Sequence, residues 1–184
     1  MSSPRPRSDV LSHFWAPLCA IGASGPQGPN AQICVSVFGA SIVPEQPRLL
    51  VSLSKTNYTE ELVQRSGRLA ITLLSEPQVD LLEPLGLRTG RDGDKLAGLD
   101  IELATSGEPL FPGGVGAIEC EVIEPYDLGD ATAFLVAVRN RRPLSAETPL
   151  TWAAAKEVVG EDFLQRWAAK SAQEQEAARA SMFF

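Results

Sequence analysis

Short apolar and β-branched runs separated by clusters of Gly, Pro and Asn mark the first third of the chain. They are LCAIGAS from Leu18, a GPQGPN turn, AQICVSVFGASIV, a PEQPR turn and LLVSLSK ending at Lys55. This punctuation predicts a meander of strands with no helix. The pattern then changes: TNYTEELVQRSG reads as a short helix, with Asn57 or Thr59 as cap, Glu60 and Glu61 in its first turn and Gly67 at its end. A strand follows at RLAITLLS. Between Pro77 and Lys95 an apolar helical turn gives way to a stretch rich in Gly, Arg and Asp, which suits a functional loop. Further strands are predicted at LAGLDIELA, at VGAIECEVIEPYDL, where Ile118, Cys120 and Val122 alternate with polar positions, and at ATAFLVAVRNRR.

From Thr151 the chain becomes rich in Ala, Glu, Gln and Lys, which predicts a helical tail. Trp152, Phe163, Leu164 and Trp167 can share one face of it, to pack on the body of the domain or on a second subunit. Six or more strands in one compact domain favour a barrel, because closure removes exposed edges. The expected architecture is mainly β with flanking helices. It divides into an N-terminal arm at 1–17, a barrel domain at 18–148 and a helical C-terminal extension at 149–184.

Length and charge narrow the function. At 184 residues the chain can bury one sizeable core. Its net charge of −7 disfavours a nucleic-acid partner. No apolar run reaches the roughly 18–20 residues that span a bilayer, and MSSPRPRSDV does not read as a signal peptide. Cys19, Cys34 and Cys120 lie far apart without CxxC spacing, which suits buried thiols of a cytoplasmic protein. A single histidine, His13, gives neither a metal cluster nor a Ser-His-Asp triad a foundation.

The residues NAQICVSVFGASIVPEQPRLLVSLSKTNYTEELVQRSGRLAITLL resemble the flavin reductase-like FMN-binding split barrels. In that family's Lys-x-Asn-x-Thr-x-x-Leu pattern, Lys55, Asn57, Thr59 and Leu62 fill the matching positions. A second block, GLRTGRDGDK, is similar to the family's Arg-Ser/Thr-Gly-Arg-Asp stretch. The resemblance implies an FMN-binding split β-barrel that works as a homodimer with its flavin near the subunit interface. It assigns the flavin ring to Gln32, Ile33, Cys34, Val35 and Ser36, and the phosphate to Ser52, Ser54, Lys55, Asn57 and Thr59. Arg88, Thr89 and Arg91 are the candidates for contacts to a nucleotide or phosphate. By the residues alone, Asn57 and Thr59 serve equally well as helix caps, Gln32 as a strand residue, and the arginines as partners of surface acids.

Two positions depart from the family pattern. Val35 stands where many relatives carry Asn, and Ala131, in Gly129-Asp130-Ala131-Thr132, stands where many carry His. The resemblance therefore implies an oxidoreductase moving electrons from NAD(P)H through bound FMN to free flavin, ferric iron or another small-molecule acceptor. The alternative is an FMN-binding electron carrier that reacts poorly with pyridine nucleotides, and Asp130 reads as a turn residue.

Overall fold

The computed structural model describes residues 10–182. Residues 1–9 of the expected arm, and Phe183 and Phe184, lie outside them. β1 (Cys19–Gly25) turns through Pro26-Gln27 into β2 (Gly28–Cys34), with Gly25 opposite Gly28. Then come β3 (Val37–Gly39), β4 (Arg48–Ser54), helix α1 (Tyr58–Ser66) and β5 (Arg68–Leu73). A 3₁₀ stretch, Glu76–Leu81, runs into α2 (Leu82–Leu87). After a long loop come the short β6 (Glu102–Leu103) and β7 (Pro109–Leu110), and the long hairpin β8 (Gly116–Asp127) and β9 (Ala131–Pro143). The chain closes with α3 (Trp152–Val158) and α4 (Glu161–Arg179).

Seven antiparallel strands form one sheet in the order β2-β1-β5-β8-β9-β4-β3. Its two edges, β2 and β3, are consecutive in the chain and only Val35 and Ser36 separate them. Two residues span at most about 7 Å, so the sheet has curled until its edges meet. Two bonds to Ser52 fix the junction: its amide donates to the Ser36 carbonyl at 3.0 Å, and its carbonyl accepts from the Cys34 thiol at 3.5 Å. The result is a mainly β, split-barrel architecture with flanking helices.

Three local expectations need correcting. AQICVSVFGASIV is not one strand; it bends at Val35-Ser36 because the chain must cross from one sheet edge to the other. In LAGLDIELA only Glu102 and Leu103 pair, with β7, because Leu96, Leu99 and Ile101 are used instead to pack beneath α2. The tail is two helices: Val159 is extended, with ψ 142, and Gly160 caps α4.

Two cores hold this arrangement. Inside the curl, Ile21, Val51, Leu53, Phe134 and Val136 meet Leu62 and Val63 of α1, which closes one end. Gly67 ends α1 in the left-handed region at φ 68, a conformation that costs glycine little, and its amide donates to the Val63 carbonyl. On the outer side, Leu18, Ala20, Leu82, Leu85 and Phe111 meet Phe163 of α4. Trp167 lies 4.8 Å from Trp152 and 5.5 Å from Phe163, centroid to centroid, so the tail's rings pack against this chain's own α2 region. No helix among the described residues is long and apolar enough to cross a membrane.

All three cysteines are buried. Burial, reinforced by Cys34 nearby, pushes the Cys19 thiol up to about 12; burial raises Cys34 to about 11 against a lowering bond from the Ser36 amide; burial and then Glu119 raise Cys120 to about 12. The native state holds these protons where the unfolded chain, with thiols near 8.5, releases them. Their contribution is complete below about pH 8.5 and declines as pH rises towards the folded values. We expect a disulfide reagent at pH 8 to label the native protein slowly and the urea-unfolded protein at three sites within seconds. Fast labelling of native protein would contradict the assignment of all three to the core.

Candidate functional site

A cleft of about 240 Å³ opens at the start of α1. Its walls come from β2, the strand-to-helix segment Thr56–Thr59, the loop after α2, and α4. β2 supplies Asn30, Gln32 and Ile33. Asn30 and Gln32 are two residues apart and therefore share a face of the strand. The Asn30 side-chain amide donates to the Thr59 hydroxyl at 2.7 Å, with both residues buried, which ties the strand to the helix. The Asn30 Oδ1 and Gln32 Oε1 atoms, also buried, accept from no group among the described residues. Such an acceptor costs about 1–3 kcal/mol when left unmade, so the wall is built for donors that a ligand or water brings.

The α1 end offers a complementary surface. Asn57 sits at the N-cap position but makes no side-chain capping bond, and the helix start directs amide donors outwards. Another buried bond anchors the same turn: the Thr132 hydroxyl donates to Glu60 Oε1 at 2.6 Å. Facing this turn is the loop carrying Arg88, Thr89, Gly90 and Arg91. Arg91 donates to the Thr56 carbonyl at 2.9 Å, pairs with Glu61, and lies 5.5 Å from the centre of the Tyr58 ring. Gly90 passes so close that a Cβ there would come 2.3 Å from Asn30 Oδ1 and 3.1 Å from the Tyr58 ring. Only glycine permits that approach.

Lys95 secures the base of the loop. It is buried and donates to the carbonyls of Leu85 at 3.0 Å and Arg88 at 3.1 Å, where α2 ends. Desolvation, with repulsion from Lys170 and against attraction from Glu174, lowers its pKa to about 8. It therefore remains mostly cationic at neutral pH. Arg88, Arg91, Lys95 and Lys170 stand against Asp92 and Glu174 in the lining and Glu61 beside Arg91, an excess of one positive charge in a chain of net charge −7. A small polyanion with donor groups matches this cleft in charge and hydrogen bonding.

Of the residues singled out in the sequence, the cleft brings together Gln32, Ile33, Asn57, Thr59, Arg88, Thr89 and Arg91. The others are used differently. Cys34 is in the inner core, Val35 packs on the outer core and accepts from the Ala16 amide, and Ser36 and Ser52 bond each other's backbone where the sheet edges meet. Ser54 shares a 2.9 Å hydroxyl contact with Thr56 and lies with Asp130 in an adjoining cavity of about 390 Å³. Lys55, expected at the phosphate, does not line this cleft: its ammonium pairs with Asp127 at 2.5 Å at the end of β8. Asp130 lies in that turn, and Ala131 opens β9 opposite Ser54.

Asn30, Thr56 and Tyr58, which also line the cleft, fall within the Asn30–Thr59 segment that the sequence pointed to, whereas Leu85, Gly86, Trp167, Lys170 and Glu174 were not assigned to a site from the sequence. For the α4 residues there was no local signal, since their place depends on how the tail folds back.

Comparison with known proteins gives a consistent result. The family model described as flavin reductase like domain matches residues 11–158. The high molecular weight rubredoxin of Moorella thermoacetica is 29% identical over 126 residues, 67% of this chain but 54% of the rubredoxin, so the match spans about half of that protein. The reductase subunit HsaB of a flavin-dependent monooxygenase from Mycobacterium tuberculosis is 27% identical over 146 residues, covering 79% of this chain and 75% of HsaB. Among solved structures, nitrilotriacetate monooxygenase component B from Mycobacterium thermoresistibile superimposes with a TM-score of 0.67 at 25% identity, over 76% of this chain and 75% of that one.

Thr59→Val keeps the shape of the side chain but removes the acceptor for Asn30, leaving a buried amide unpaired. Equilibrium urea unfolding should show a loss of about 1–3 kcal/mol. A change below about 0.5 kcal/mol would mean that β2 and α1 are held together without this bond.

Proposed function

This chain belongs to the flavin reductase-like family, and from that premise we propose that it is a flavin-dependent oxidoreductase of flavin reductase type that binds FMN in the cleft at the start of α1. The observation that carries the reading is the pairing, in one cleft, of two buried acceptors without partners and an excess of positive charge beside a helix N-terminus. These residues fit a flavin mononucleotide. Thr56, Asn57, Thr59 and the Arg88–Arg91 loop would hold the phosphate through hydroxyls, amides and guanidinium groups. Asn30 and Gln32 would accept from ribityl hydroxyls or the ring's N–H. Bound flavin would supply reversible two-electron chemistry; the protein's part is to bind, orient and shield it.

In this reading NAD(P)H is the electron donor, and free flavin, ferric iron or another small molecule the acceptor. A second reading, an FMN-binding electron carrier with little activity towards NAD(P)H, is favoured by one observation. Ala131 brings no imidazole to the turn beside Ser54, and His13 lies in the 3₁₀ turn Val10–Phe14, far away in sequence. We also propose a homodimer. Ile42 is 99% exposed at the tip of the β3–β4 loop with Phe38 and Val43 partly exposed nearby, and Ile123, Tyr126 and Leu128 expose a second apolar patch along the β8–β9 hairpin. Contiguous apolar surface of this kind is typical of subunit interfaces.

Purified protein should take up FMN with a change in flavin absorption. Arg88→Ala should weaken FMN about tenfold more than riboflavin, which lacks the phosphate, and Lys55→Ala should barely affect either. Equal losses for both flavins would refute the phosphate placement, and no uptake of FMN would refute the function. Anaerobic mixing of the FMN-loaded protein with NADH or NADPH then separates the readings: rapid bleaching supports the reductase, and a persistent yellow colour the carrier.

Light scattering behind size exclusion should give twice the chain mass, and Ile42→Asp together with Tyr126→Asp should shift it to the single-chain mass. A monomeric wild-type protein would contradict the dimer.

A further inference from the structure

The family match ends at residue 158, yet α4, which starts at Glu161, forms one wall of the cleft. Its anchorage is uneven. Phe163 is its only buried residue, and the ring contacts are confined to Phe163 and Trp167 in its first two turns. Beyond Trp167 the helix lies over the cleft with polar residues. Lys170 and Glu174 there form an ion pair at 2.6 Å, each about two-thirds buried.

Lys170 does not stand alone. It lines the cleft together with Lys95, whose buried ammonium is held by the Leu85 and Arg88 carbonyls. Two of Lys95's donors are used by the Leu85 and Arg88 carbonyls, which leaves the third. Lys95 and Lys170 also line a second concavity of about 420 Å³, which runs along the outer side of the loop past Leu87, Asp92 and Asp94 and includes no residue of β2 or α1. The cations of the site thus form two groups. Arg91 is committed to the α1 end through Thr56, Tyr58 and Glu61, Arg88 lines both the cleft and the outer concavity, and Lys95 and Lys170 stand at the passage between the two.

A mononucleotide carries one phosphate, which the first group accommodates. We propose that Lys170, with Lys95, forms a second phosphate-binding point that serves a dinucleotide, and that Lys170 exchanges Glu174 for that phosphate when the ligand enters. The inference rests on the flavin reading for the first phosphate only. The same chemistry has two sources: the adenylyl phosphate of FAD, and the pyrophosphate of NADH or NADPH. In either case the adenosine half extends towards the outer concavity. α4 then acts as a specificity element added to the family's barrel, with Glu174 as a competing anion that keeps Lys170 in place while the passage is empty.

The test compares Lys170→Gln and Glu174→Gln with wild-type protein, all checked by circular dichroism and thermal melts. Affinities for FMN and FAD come from flavin fluorescence titration, and affinity for ADP-ribose, a redox-inactive half of the pyridine dinucleotide, from calorimetry. Lys170→Gln should weaken either FAD or ADP-ribose about tenfold while the loss with FMN stays several-fold smaller. Glu174→Gln should strengthen the same ligand by removing the competitor. A loss confined to FAD identifies the second phosphate as the flavin's own, and a loss confined to ADP-ribose identifies it as the reductant's. Equal losses for FMN and both dinucleotide probes, or no loss for any, would overturn the proposal. If wild-type protein binds ADP-ribose but no flavin, the proposed function fails and the ADP-ribose comparison alone decides on Lys170.

Discussion

The stretch Cys34 to Val37 belongs to both edges of the sheet at once, and the site depends on that constraint. Because β2 runs into β3 through Val35 and Ser36, the sheet has to curl until β4 lies beside the end of β2. β4 leads directly into α1, so the curl also brings the start of α1 against Asn30 and Gln32. The buried Asn30–Thr59 bond is the contact that results. Had β3 paired with β2 instead of β4, the meander would have been an open sheet, and the strand face carrying the two acceptors without partners among the described residues would have met solvent instead of a helix terminus. The polar cost stored at Asn30 and Gln32 is therefore a consequence of closure, and it is sustained because the two cores, inside the curl and beneath α2, are built from separate sets of side chains.

Electrostatics adds selectivity to that geometry. The chain is acidic overall, and many of its cations are paired on the surface, as Lys55 is with Asp127, Arg139 with Glu121, and Arg166 with Glu83 and Asp162. Exposed pairs of this kind stabilise little. In the cleft Arg91 and Lys170 are paired as well, with Glu61 and Glu174, while Lys95 is held by the backbone carbonyls at the end of α2 in spite of desolvation. A field of one sign confined to a partly enclosed cleft attracts anions more strongly than the same charges spread over the surface would.

How much of this the sequence made legible follows from the range of the forces involved. Strands, the short helix and the loop are set by local preference, and Gly67, Asn57 and the Arg88–Arg91 run were readable because turns, caps and charge clusters act over a few residues. The surroundings of Lys55 were not readable in the same way. Thr56 and Asn57 next to it line the cleft, but a partner 72 residues away, Asp127, holds its ammonium at the end of β8. Cys34, Val35 and Ser36, read as ring contacts, lie where the chain passes between the sheet edges: the Cys34 thiol donates to the Ser52 carbonyl, the Ser36 carbonyl accepts from the Ser52 amide and the Val35 carbonyl accepts from the Ala16 amide, contacts visible only once the strand order is known. The division of the apolar run at Val35 is the same fact seen locally: nothing in its side chains marks the bend, which the topology imposes.

The tail shows where family likeness and physical structure part company. The family match ends at residue 158, before α4, and that helix is held by Trp167 against Trp152 and against Gly86, where a Cβ would come within 2.2 Å of the indole. Gly86 thus fixes the depth at which Trp167 sits, and Trp167 in turn sets where the next turn of α4 carries Lys170 and Glu174. A glycine in α2, on one side of the cleft, controls the charge presented from the other. The barrel explains why a cleft suited to a small polyanion forms at the start of α1, and the packing of one indole explains why α4 makes a wall there beyond the family match.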